Sequence, residues 1–300
     1  MKTQLKAKKR DALQGYGFMT PTLIILGIFT LVPIAYSFVL SFTRVNLFGG
    51  THFEFIGLTN YTNAYSDERV WAALRNTLEY VIFVVPAQTV IALVMAYVLN
   101  SGVKFQKTFR TIYFLPTLTS SSALTMIFMF LFSLNGPLNS FLVNFGILTD
   151  PINFVNETSF ALRTIMVMNV WATVPLYMTI YLAGLQDIPD ALYEAASLDG
   201  ANTWQKLTKI TIPNLVPVTN YVILMGIIGC FQIFDQAYII SGGTGGPNNS
   251  TLTLSLIIYQ YAFKTIGTMG YASALAILLA IVIFIASMIA RKLNKEDSHT

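Results

Sequence analysis

The chain has 300 residues, 54% of them hydrophobic and only 11% charged, against roughly 25% charged residues in an ordinary soluble domain, which argues against a soluble fold. A net charge of +4 could suit a nucleic-acid binder, but the basic residues sit at the ends of long apolar tracts, where membrane topology accounts for them. The two histidines, His52 and His299, fall in a loop and a tail, and no His-Glu-x-x-His or Gly-x-Ser-x-Gly occurs, so neither a metal site nor catalytic residues are expected and the chain does not read as an enzyme.

Uncharged tracts cover 15–43, 80–103, 111–149, 164–186, 210–234 and 265–290, and each can hold the roughly 20 apolar residues that cross a bilayer. The Lys-rich opening precedes an apolar run too long for a signal peptide and without a clear cleavage site, so the first tract is expected to stay as a span. Segment 46–75, rich in Gly, Asn, Thr and charge and ending in an amphipathic run around Trp71, reads as a small surface cap. The basic loop 100–110 makes a tight turn. Asn135-Gly136-Pro137 interrupts the next tract, leaving one span at about 111–134 and a loop with room for a short helix.

Six spans result, an all-α polytopic membrane protein. Placing the N-terminus in the cytoplasm puts thirteen of the basic residues inside and five outside, as the positive-inside rule requires, so both termini are expected to be cytoplasmic. The expected layout is a basic N-terminus 1–16, a transmembrane domain 17–290 and a tail 291–300.

Between the fourth and fifth spans, 187–213 is polar, helix-forming and too long for a plain turn. Pro189 and Asp190 suit a helix start, Gly200 a helix end, and Asn202 the cap of a second helix whose Trp204, Leu207 and Ile210 form an apolar stripe before Pro213. Such a pair is either a docking element or a loop packed on its own bundle. Cys230, the one cysteine, reads as a small apolar packing residue. The run 241–247, with four glycines in seven residues, reads as an outer loop.

Glu194-Ala195-Ala196, then Gly200, then Ile210-Thr211-Ile212-Pro213 resembles the EAA loop of binding-protein-dependent ABC importer permeases. Leu198-Asp199-Gly200-Ala201 is similar to the sugar branch. Gly57-Leu58-Thr59-Asn60-Tyr61, Asn76-Thr77, Phe234-Asp235, Gly245-Gly246-Pro247 and Met269-Gly270-Tyr271-Ala272-Ser273-Ala274 are similar to that family's opening and closing signatures. The chain looks like the first permease subunit of the maltose and glycerol-phosphate type, without the large extra outer domain of the maltose protein.

The resemblance implies that Glu194, Ala195, Ala196, Asp199, Gly200, Ile210 and Pro213 couple to an ATPase. It also implies a second permease, two ATPase subunits, an extracytoplasmic binding protein, a sugar-like substrate and a bacterial inner membrane. No Gly-x-x-x-x-Gly-Lys-Ser/Thr loop occurs, so no cofactor is expected on this chain, and ATP and Mg belong to the partner ATPase. A secondary transporter, or a permease for a non-sugar solute, is the alternative.

Polar side chains within spans tend to face the bundle interior or a water-filled cavity. Asn169 and Thr173 share one helix face by their four-residue spacing, and so would Gln232, Asp235 and Gln236, and Thr119, Ser122 and Thr125. Asn169, Thr173, Ser122, Gln232 and Asp235 are the candidate substrate path, with Trp171 or Tyr238 nearby for stacking. By resemblance to the maltose permease, Asn169 falls where substrate contacts occur. Interhelical hydrogen bonding is the competing role for these residues, and anchoring an outer loop the competing role for Asp235.

Overall fold

A computed structural model of the protein describes residues 2–45, 53–102, 104 and 106–293. The expectations for His52, Lys295 and His299, and most of those for the tail, lie outside the described residues. Five described helices are long and apolar enough to cross a membrane, or six if one bent pair is a single span. The chain divides into two compact units.

One unit comprises 1–64 and 261–277. Helix α1 (Lys2–Leu26) continues through a π-helical turn at Gly27–Leu31 into α2 (Val32–Leu40). Pro33 lacks the N–H that would bond back along the helix, and just before it the Val32 N–H reaches the Gly27 carbonyl, five residues back. Only 6% of this span's most apolar stretch is buried. Strands β1 (Thr43–Val45) and β2 (Phe53–Phe55) pair antiparallel, a small departure from the all-α expectation. Helix α3 (Thr59–Ser66) follows Gly57, whose φ of +58° suits glycine. Asn60 is buried there, and its Nδ2 donates to the carbonyls of Ser41 at 2.8 Å and Thr43 at 3.0 Å. At Gly270 a Cβ would stand 1.9 Å from the Thr43 carbonyl oxygen, so two backbones meet where any side chain would intrude.

The other unit comprises 65–260 and 278–300. Helix α4 (Glu68–Asn100) starts well before the expected tract, because the Asp67 side chain accepts from the Arg69 N–H and caps it there. Trp71 therefore lies on the second span's first turns rather than on a separate cap, its indole donating to the Tyr65 carbonyl at 2.8 Å. The third span was expected to be continuous. It divides into α5 (Gln106–Leu118) and α6 (Ser121–Leu131), bent by 105°. Pro116 lacks a backbone N–H, and Ser120 starts a new helix by accepting from the Ala123 N–H at 3.2 Å. Helix α7 (Pro137–Asn144) is the expected short helix, and α8 (Ala161–Gln186) is the fourth span.

Helices α9 (Asp190–Leu198) and α10 (Thr203–Lys206), a π-helical turn at Leu207–Thr211 and α11 (Ile212–Asn214) lead to α12 (Val216–Phe231). The fifth span is interrupted after α12 and resumes as α13 (Asp235–Ile240). Helix α14 (Leu254–Tyr259), a π-helical turn at Gln260–Lys264 and α15 (Met269–Leu293) complete the described chain.

The core of this unit lies where α4 and α12 pack on α8. Ala92 and Ala96 are fully buried one turn apart beside Val174, Tyr177, Met178 and Tyr181. Small residues let helices approach closely in a membrane, where lipid removes the hydrophobic drive for helices to associate. Gly184 does the same, since a Cβ there would lie 2.7 Å from Val218 Cγ2. The segment after the glycine loop bonds to the second span: Asn76 Nδ2 donates to the Asn249 carbonyl at 2.6 Å and the Leu252 carbonyl at 3.0 Å, and Thr77 Oγ1 accepts from the Leu254 N–H at 3.1 Å. The glycine loop is thereby held to the start of α4.

Candidate functional site

A cavity of about 270 Å³ opens where the fifth span breaks. Gln88 borders it from α4, Asn169, Thr173 and Tyr177 from α8, and Gly226, Gly229 and Cys230 from α12. Gln232, Ile233 and Phe234 of the break and Asp235 and Gln236 of α13 complete it. Irregular backbone inside a membrane protein is tolerated where it lines a cavity and its polar groups find partners. The Thr253 hydroxyl is such a partner, donating to the Ile233 carbonyl at 3.0 Å.

The polar groups are already partly paired with one another. Asn169 Nδ2 donates to the Tyr80 hydroxyl of α4. The Thr173 hydroxyl lies 2.8 Å from both Gln88 Oε1 and the Asn169 carbonyl. Asn169 and Thr173 thus join helices and border the cavity at once. Asp235 is the only charged residue on the lining.

The structure brings Asn169, Thr173, Gln232 and Asp235 to one cavity but not Ser122, which is exposed on α6 and outside the lining. The bend removes the shared face expected for Thr119, Ser122 and Thr125, because Thr119 precedes the new helix. Gln232 likewise shares no helix face with Asp235 and Gln236, yet the break turns all three toward the cavity. Neither expected stacking residue lines it: Trp171 tilts against Phe128, and Tyr238 packs with Phe234 and Tyr259. Cys230 is buried, as a packing residue should be, while also bordering the cavity. Gln88 and Tyr177 were missed. A signal existed for Gln88, an amide in the middle of the uncharged tract 80–103.

The second site is the helix pair before the fifth span. Asp190 occupies the first turn of α9, and Gly200 ends it at φ +77°. The Gly200 N–H bonds the Ser197 carbonyl at 3.1 Å and the Ala201 N–H the Ala196 carbonyl at 2.8 Å, the two bonds of a Schellman end. Asn202 and Gln205 then form a reciprocal capping box at 2.9 and 2.8 Å, so the turn between the helices is dictated locally. Glu194, Ala195, Asp199 and Pro213 are exposed and Ala196 is half-buried. Arg44 pairs with Glu54, and Glu194 has no ion-pair partner among the described residues.

The expected apolar stripe divides in two. Trp204 is 70% exposed and Leu198 90%, whereas Ile210 packs against the core. Ile210 holds the pair to the bundle, and Leu198 and Trp204 stand free of it.

Membrane-length helices broken around a polar cavity, with an exposed helix pair at one end, define a polytopic membrane transport protein. A family model described as "Binding-protein-dependent transport system inner membrane component" matches residues 88–296, and the chain belongs to this family of ABC importer permeases. It is a transport subunit, not an enzyme, and membership sets aside the secondary-transporter alternative. The probable ABC transporter permease protein YesP of Bacillus subtilis is 38% identical over 97% of this chain and 93% of its own. The lactose transport system permease protein LacF of Rhizobium radiobacter is 34% identical over 94% of each chain. A chain of a bacterial alginate ABC transporter, solved in complex with an alginate pentasaccharide-bound periplasmic protein, superposes with a TM-score of 0.78 over 98% of each chain. At 24% identity that likeness concerns the fold.

Proposed function

We propose that this chain is one of two permease subunits that together form the path of a neutral sugar or related polar solute across a bacterial inner membrane. An extracytoplasmic binding protein delivers the solute, and two ATPase subunits drive its passage. The carrying observation is the cavity at the break of the fifth span, lined by amides and hydroxyls and by one carboxylate but no base. Amides and hydroxyls suit a polyol, and the absence of a cation on the lining argues against an anionic solute. Its 270 Å³ falls just below the range of ligand pockets, roughly 300 to 1,000 Å³, which fits a path completed by a second permease.

Asn169, Thr173, Gln232 and Asp235 are assigned to this path. The exposed pair α9 and α10 is assigned to the ATPase, with Glu194 as the charged contact and Ala195, Ala196, Asp199 and Pro213 around it. Gly200 sets the turn, and Ile210 anchors the pair to the bundle. The pair and both termini are placed in the cytoplasm, as the split of basic residues supports. The testing experiment is ATP-driven uptake of labelled sugars by proteoliposomes that hold the whole complex, beside the same complex lacking this chain. Uptake that needs this chain, ATP and the binding protein is expected. Uptake driven by an ion gradient without ATP would overturn the reading.

A further inference from the structure

Gln232 and Asp235 flank the break of the fifth span, and both are exposed residues that border the cavity. No helical ladder fixes the backbone between them. On one side the Gln232 N–H bonds the Gly229 carbonyl at 3.2 Å and the Ile233 N–H the Cys230 carbonyl at 3.4 Å, three-residue closures that end α12. On the other, the Tyr238 N–H takes the Phe234 carbonyl at 2.8 Å and opens α13. The Ile233 carbonyl, between the two, finds its donor on a different element, the Thr253 hydroxyl at 3.0 Å.

Thr253 is fully buried, and its oxygen serves two partners whose roles are fixed, because a carbonyl can only accept and a backbone amide only donate. It donates to Ile233 and accepts from the Leu256 N–H at 3.3 Å, capping α14. The residues beside it are gripped from α4, the Leu252 carbonyl by Asn76 and the Leu254 N–H by Thr77. The donor therefore stands on a firm support. A carbonyl deprived of such a donor turns toward whatever other partner it can reach, and turning the peptide after Ile233 swings the chain on either side of it.

We infer that Thr253 is a positioning residue of the solute path: it lies off the lining, and by holding the Ile233 carbonyl it sets the directions in which Gln232 and Asp235 meet the solute. This rests on the reading of the cavity as that path.

The test compares Thr253→Ser with Thr253→Ala, which differ from each other only in the hydroxyl. The complete complex is placed in proteoliposomes with ATP, the binding protein and lactose, maltose or trehalose, and the sugar imported per ATP hydrolysed is measured. Thr253→Ser should keep the wild-type ratio. Thr253→Ala should lower it about two- to tenfold, the effect of one hydrogen bond, while the binding protein still stimulates the ATPase. General damage to the fold would lower uptake and hydrolysis together and keep the ratio. An equal ratio in the two variants would overturn the assignment, as would an alanine complex that fails to assemble where the serine complex assembles, since the hydroxyl would then serve folding alone. A wild-type complex that imports none of the three sugars would overturn the sugar reading, and this inference with it.

Discussion

The Tyr193 hydroxyl lies 2.9 Å from Thr211 Oγ1, and Thr211 is fully buried at the turn that leads into the fifth span. Lys206 Nζ adds a second tie, donating to Ser197 Oγ at 2.7 Å. These bonds tie α9 to the turn that leads into α12, whose far end borders the cavity. Tyr193→Phe deletes the tie and leaves the exposed face of α9 intact. Uptake is expected to fall about two- to tenfold, the worth of one hydrogen bond, while the ATPase still co-purifies. Unaltered uptake would show that this tie transmits nothing.

Glu194→Lys and Gly200→Val attack the docking itself. The first reverses the exposed charge assigned to the ATPase contact, and a pair broken at a partly buried interface costs about 2 to 5 kcal/mol. The second places a β-branched residue at φ +77°, a strained backbone for any L side chain, and misdirects α10. Both variants should insert normally, lose the nucleotide-binding subunit in pull-downs and lose transport. Normal ATPase coupling in both would remove the coupling role from this helix pair.

Asn169→Leu removes a cavity amide and strips the buried Tyr80 hydroxyl of its partner. The orphaned hydroxyl should cost about 1 to 3 kcal/mol of stability, visible as a lower melting temperature of the purified complex. Sugar uptake should drop further than this loss explains, with ATPase assembly retained. A thermal shift with full uptake would reassign Asn169 to packing alone.

Gly270→Ala sets a methyl group 1.9 Å from the Thr43 carbonyl oxygen. Backbone cannot yield as a flexible side chain would, so about 1 to 3 kcal/mol of destabilisation is expected and the folded yield after solubilisation should fall. Gly27→Ala is the control, because nothing lies within 4 Å of its added carbon. Equal yields from the two would mean that the close approach at Gly270 is unimportant.

Reporter fusions test orientation. A fusion after Asn202 should read cytoplasmic and one after Thr62 external, as the split of basic residues requires. An external signal at Asn202 would place the helix pair beyond reach of any ATPase.

The sequence by itself determined what rests on local chemistry. Uncharged tracts marked the spans because a bilayer demands about 20 apolar residues of each. Gly200 and Asn202 marked the turn of the helix pair because a left-handed residue and a capping side chain are needed within four positions of each other. The four-residue spacing of Asn169 and Thr173 placed them on one face. Only the tertiary structure decided where spans break and what the breaks enclose. Helix-forming residues run through Gln232–Phe234, and the interruption there depends on Thr253, twenty residues on, to satisfy the freed Ile233 carbonyl. Gln88 meets Thr173 across 85 residues of chain, and Trp204 and Ile210 part company according to whether the core lies beneath them. No spacing rule reaches such distances, because the partner that completes each group belongs to another helix.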